Sequence, residues 1–201
     1  MSFAKRQRAA LCDLMTELGA DAPTKCEGWR VADLAAHLWI REHRPAALPG
    51  MGLARFATKT AEIQDQALAE KGFRALVEDL RRPGWVMRPL DSIVGANEFF
   101  IHHEDVLRAN GRSQSLTAPE QKQLWRTARV FAYRAQLAWK GRLVLEPTTL
   151  PTTALGKGDR PIHLLGLPSE LLLLLTGREA DVEIIGEPQI IAALLRSISG
   201  L

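Results

Sequence analysis

Cysteine is nearly absent. Cys12 and Cys26 are the two in 201 residues, too few for the disulfide framework of a small secreted domain, and unpaired thiols suit a reducing, cytoplasmic setting. Long apolar runs are missing too. Runs such as Leu171–Leu175 fall far short of the ~20 residues needed to span a bilayer. No basic stretch leading into an apolar segment opens the chain, so neither a signal peptide nor a membrane partner is expected. Aromatic residues make up 6% with a single tyrosine, and they form no platform on which bases could stack. Nor is there a large excess of one charge: 26 Lys and Arg against 23 Asp and Glu leave 26 − 23 = +3. Arg6, Arg8, Arg81 and Arg82 are scattered over several segments rather than clustered as a nucleic-acid footprint requires. There is no internal repeat and no low-complexity tract.

What is present is the composition of a folded globular protein, 46% hydrophobic and 24% charged, which excludes a disordered chain. The first ~140 residues read as helices from their apolar spacing. Phe3–Leu18 carries Phe3, Ala10, Leu11, Leu14 and Leu18 on one stripe with basic residues on the other side, and Gly19 with Pro23 stops it. Val31–Arg41 follows, ended by Pro45, Pro49 and Gly50. Ala54–Ala69 and Phe73–Arg82 are split at Gly72, a loop spans Pro83 to Pro89, and a further helix runs from Ser92 to Ala109. Thr117, with Pro119 and with Glu120 three residues on, is an N-cap signal for a long helix to Lys140. Beyond Gly141 the period shifts. Leu143–Leu145, Ile162–Leu165 and Val182–Ile185 are strand-like, and Pro147–Pro161 is a linker or hairpin. Ser169–Thr176, capped by Ser169, and Pro188–Ile198 are short helices.

The residues that carry chemistry gather in Asn97–Asp105. Glu98 and His102 are four apart, about 40° around a helix axis, and so stack on one face. Phe99, Phe100 and Ile101 between them would bury that helix on its neighbours, and a carboxylate facing an apolar bundle is costly unless paired or metal-bound. His37 shares a face with Leu34 and Leu38 and would also point inward. Two histidines and a glutamate with open positions form the donor set of a catalytic rather than a structural zinc site, and nickel, iron(II) or manganese(II) would accept the same donors. His103, rotated about 100° from His102, is the poorer ligand, while Asp105 returns to the ligand face and can orient a ligand. The plainer alternative is an i,i+4 ion pair of Glu98 with His102, and a satisfied core residue at His37.

The segment Pro23–Leu38, with Gly28-Trp29 ahead of Val31-Ala32-Asp33-Leu34-Ala35-Ala36-His37-Leu38, resembles the second-helix signature of the mycothiol-dependent maleylpyruvate isomerase family, within the wider DinB-like superfamily. Glu98-Phe99-Phe100-Ile101-His102-His103-Glu104-Asp105 is similar to the family's Glu-x-x-x-His-x-x-Asp helix. With Arg41-Glu42-His43-Arg44-Pro45 and the doubled histidine, the chain most resembles an actinobacterial metal-binding subfamily of unassigned reaction. Gly166–Arg178 resembles the family's small, sterol-carrier-like C-terminal domain. Arg30 departs from the pattern, which favours Thr or Ser there, so the hydroxyl N-cap of the His37 helix is missing.

The resemblance implies a mainly α fold with a small α+β C-terminal part: a DinB-like four-helix bundle over residues 1–140 and a sterol-carrier-like module over 141–201. It implies metal ligation by His37, Glu98 and His102, with zinc first among the candidates, and a low-molecular-weight thiol such as mycothiol as co-substrate. The expected activity is a metal-dependent thiol transferase or isomerase acting on a small molecule; the alternative is a non-catalytic metal-binding or metal-sensing protein. Asp105 and Arg178 are the candidate catalytic residues, Arg178 as a binder of an anionic substrate. Cys26 reads as a small residue in a packed turn or as a metal-proximal thiol, and Trp29 as a packing anchor. Arg41, Glu42, His43 and Arg44 read as a solvated cluster or as a recognition site for a carboxylated cofactor, and His163 as structural. The expected oligomeric state is monomer or homodimer, and the expected partners are a small-molecule substrate or thiol.

Overall fold

The computed structural model describes residues 1–44, 57–82, 84 and 96–198. The expected helix stops at Pro45, Pro49 and Gly50, the helix start at Ala54, the prolines at 83 and 89 and the start at Ser92 lie outside these residues. Among the described residues there are eight helices and four strands, and no helix is long and apolar enough to cross a membrane. The chain forms two compact units, Met1–Gln114 and Ser115–Leu201.

The first unit holds α1 (Phe3–Leu18), α2 (Val31–His43), α3 (Ala57–Lys71), α4 (Phe73–Leu80) and α5 (Ala96–Ala109). Packing joins α1 to α5 and α4, and α2 to α3 and α4. Leu11, Met15, Leu34, Leu38, Leu76, Leu80, Phe99 and Val106 make its core, and each such side chain removed from water contributes about 1.5–3 kcal/mol. The missing hydroxyl cap at Arg30 is offset from the other side. The Arg30 backbone N–H donates to Asp33 Oδ2 at 2.8 Å, one half of a capping box.

Arg8 is a correction to the expected basic face of α1. Its side chain is 2% exposed, because it lies on the stripe of Ala4, Leu11 and Met15. Nη1 and Nη2 donate to Glu42 Oε2 and Oε1 at 3.0 and 2.6 Å, and Nη1 also to Leu80 O at 2.8 Å. The guanidinium carbon stands 3.9 Å from the Phe99 ring centroid. Glu42 accepts a further bond from the Gly84 N–H at 2.9 Å. Glu42 is thus a core residue rather than part of a solvated cluster.

The second unit holds α6 (Ala118–Trp139), β1 (Leu143–Pro147), β2 (Thr153–Leu155), β3 (Ile162–Gly166), α7 (Pro168–Leu175), β4 (Val182–Ile185) and α8 (Pro188–Ile198). The sheet order is β2-β1-β3-β4. The pairs β1–β2 and β3–β4 are antiparallel and β1–β3 is parallel, with Leu145 opposite Leu164. The Thr- and Pro-rich stretch after β1 is therefore a hairpin. The capping box of α6 is formed, with the Thr117 N–H on Glu120 Oε2 at 2.8 Å. This helix packs on α7 and α8, so the units divide before it, whereas the expected boundary lay after residue 140. Ser169 is inside α7 rather than its cap. Its N–H donates to Gln121 Oε1 at 2.9 Å and its hydroxyl accepts from Gln121 Nε2 at 3.1 Å.

Candidate metal centre

Two helices and one turn build the site, all in the first unit. The turn before α2 is fastened to α5: the Lys25 N–H donates to Asp105 O at 3.0 Å and Asn110 Nδ2 to Pro23 O at 3.1 Å. Inside the turn, Thr24 Oγ1 donates to Trp29 O at 2.8 Å and accepts from the Cys26 N–H at 3.1 Å. These bonds set Cys26 and Trp29 over the ligand faces of α5 and α2.

His37 comes from α2, Glu98 and His102 from α5, and one ligand atom of each lies within 4.8 Å of the others. The His37 and His102 rings are 5.8 Å apart and meet edge-on at 72°. Trp29 covers His37 from the turn at 4.8 Å between ring centroids. Burial pushes the His37 imidazolium down to about 3, helped by the charges of His102 and Arg41, so the ring is neutral with a lone pair to offer at neutral pH. Burial raises the Glu98 carboxyl, against the opposing pull of Arg41 and His102. Glu98 Oε1 is buried and takes no hydrogen bond; its ion-pair partner is Arg41.

Arg41, expected in a solvated cluster or in a recognition site for a carboxylated cofactor, lies instead against Glu98. It stands four residues after His37, and that spacing places both on one face, a signal that was available. The rest of the cluster has other partners. His43 stacks on Trp39 at 4.8 Å and donates from Nδ1 to Trp39 O at 3.0 Å, while Arg44 Nη2 is 3.8 Å from Glu70 Oε2.

Asp105 orients His102, as its return to the ligand face suggests. The His102 Nδ1–H donates to Asp105 Oδ2 at 3.0 Å, which leaves Nε2 as the ring's lone pair. Cys26 Sγ is 3.3 Å from the same Oδ2 and 3.8 Å from His102 Nδ1. His103 points elsewhere, donating from Nδ1 to Gln7 Oε1 at 2.9 Å. In the second unit, Arg178 donates to Thr176 O at 2.7 Å, and His163 pairs with Glu146 across β1 and β3 at 2.5 Å.

No family model matches this chain, and no curated protein matches it. A solved structure does: that of the mycothiol-dependent maleylpyruvate isomerase, at 15% identity over 90% of each chain with a TM-score of 0.59. At that identity the likeness shows a shared fold.

Proposed function

We propose that the chain holds one divalent cation, zinc first, through His37, Glu98 and His102, and that this centre serves a thiol-dependent transferase or isomerase reaction on a small molecule. The observation that carries the reading is the convergence of the three ligand atoms to within 4.8 Å. The donor set fits such an ion. Two imidazoles and one carboxylate leave positions for water or a thiol, and Glu98, buried and in contact with Arg41 through Oε1, is the anionic member of the set. A divalent ion bound there supplies Lewis acidity, lowering the pKa of a bound water or thiol.

The protein's own side chains do the rest. Asp105 is a positioning residue: it holds the Nδ1 proton of His102 and so fixes which nitrogen faces the centre. Trp29 excludes water from one side of His37. Arg41 balances Glu98 and offers a cation to an anionic substrate. The thiol co-substrate is inferred from the shared fold, since the neighbour is mycothiol-dependent by name. An actinobacterial metal-binding subfamily, a sterol-carrier-like module over residues 141–201 and an anion-binding role for Arg178 rest on the motif resemblance, and a cytoplasmic setting rests on the sparse cysteines.

The competing reading is a metal-free Arg41–Glu98 ion pair, favoured by their contact. Elemental analysis of the full chain separates the two. Wild type is expected to carry about one ion per chain, His37→Ala and His102→Ala to lose it, and His43→Ala and His163→Ala to keep it. Equal metal content in all four variants would sink the site.

A further inference from the structure

Cys26, His102 and Asp105 bring a second set of possible metal donors together, sharing only His102 with the proposed centre. Their ligand atoms, Sγ, Nδ1 and Oδ2, lie within 4.8 Å of one another. The individual separations are 3.3 Å for sulfur to oxygen, 3.8 Å for sulfur to nitrogen and 3.0 Å for nitrogen to oxygen. Tetrahedral zinc with ordinary bond lengths to S, N and O holds its donors about 3.4–3.6 Å apart, so shifts of a few tenths of an ångström would admit an ion. The set is also built in advance. Asp105 is 1% exposed on α5, and the turn bearing Cys26 is tied to the backbone of that same residue through the Lys25 N–H. Cys26 also lines an open depression of about 440 Å³ together with Thr24, Gly28 and Trp29.

We propose that Cys26, His102 and Asp105 are a sulfur-bearing site for a thiophilic divalent cation such as zinc or cadmium, and that this site competes with the His37–Glu98–His102 centre. The competition follows from the chemistry of one ring. A neutral imidazole has a single lone pair. With the proton on Nδ1, held by Asp105, His102 offers Nε2; with the proton on Nε2 it offers Nδ1 to the sulfur-bearing site. Binding there replaces the Cys26 thiol proton by the metal and releases that proton to solvent. The chain therefore takes one such ion at a time, and softer ions favour the site with sulfur. The competition rests on the proposed centre; the sulfur-bearing site does not.

Cadmium titration of the chelator-treated full chain tests it, with bound cadmium and thiolate-to-cadmium ultraviolet charge transfer as the readouts. Wild type is expected to show one ion per chain and the absorption of a single thiolate ligand. Cys26→Ser should lose that absorption and keep an ion on the remaining donors, whereas Glu98→Gln should keep it. Cys12 is an internal control, since it is buried and its thiol is pushed up to about 11, chiefly by desolvation. Wild-type cadmium binding without the absorption, or an absorption that survives Cys26→Ser, would overturn the sulfur site and leave the first centre standing. Loss of all cadmium in Cys26→Ser with none lost in Glu98→Gln would support the sulfur site and overturn the first centre. Two ions per wild-type chain would overturn the competition, and no cadmium at all would overturn both sites.

Discussion

His103 is adjacent to His102 in sequence yet answers to different physics. It is buried, and loss of water, with the nearby Arg6 charge as the lesser cause, pushes its imidazolium down to about 4. An unfolded chain protonates the same ring near 6.5, so between those values the unfolded state binds more protons. Stability must then rise with pH across that window and fall as the pH drops from 6.5 towards 4. Replacing the ring by a group that cannot titrate, His103→Gln, is expected to flatten the slope of unfolding free energy against pH there by about one proton's worth. Urea unfolding at a series of pH values measures it, and an unchanged slope would show that His103 is not held neutral. The Arg8–Glu42 pair is buried by another route. Both side chains are 2% exposed, and each satisfies the other while both collect backbone partners.

Helix ends are decided by backbone geometry, and two glycines separate its components. Gly72, between α3 and α4, has φ +76°, and a Cβ there would meet nothing within 4 Å. Gly72→Ala therefore costs only the strain of a backbone at φ 76° and ψ 155°, about 1–3 kcal/mol. Gly156, just after β2, has φ +75°, but its Cβ would lie 2.1 Å from Gly141 O. Gly156→Ala is expected to destabilise more than Gly72→Ala, because the β1–β2 hairpin must shift as well. Denaturant unfolding of the two variants gives the order directly. Most helix bounds were legible in the sequence because they are set locally: Thr117 with Glu120 starts α6, and α1 spans Phe3–Leu18 as its apolar stripe indicates. Ser169 misled because Pro168 takes the first position of α7 and Gln121, 48 residues away, claims the hydroxyl.

All the candidate metal donors belong to Met1–Gln114. A ligand that binds only the folded state stabilises it by about 2.7 kcal/mol at one hundred times its dissociation constant. Chelation should therefore reduce hydrogen-exchange protection in α2 and α5 while β1 to β4 keep theirs. Equal loss in both units would show that the ion supports more than the site. The net charge of +3 says nothing about this asymmetry, because it is a sum over the chain.

The sequence by itself determined most of the described helical and strand segments, through periodicities that act over a few residues, while β2 stood only within a linker or hairpin. It also indicated the inward faces of His37, Glu98 and His102, because spacing along a helix decides direction. It could not show that Arg41 would pair with Glu98, that Arg8 would meet Glu42, or that α6 would pack on α7 and α8. Nor could it show that Cys26 would come to rest on Asp105, 79 residues further along the chain. Those outcomes were decided by the tertiary structure alone. Desolvation and hydrogen bonding between distant segments select the partners of buried charges and thiols, and no local pattern encodes which segment will arrive.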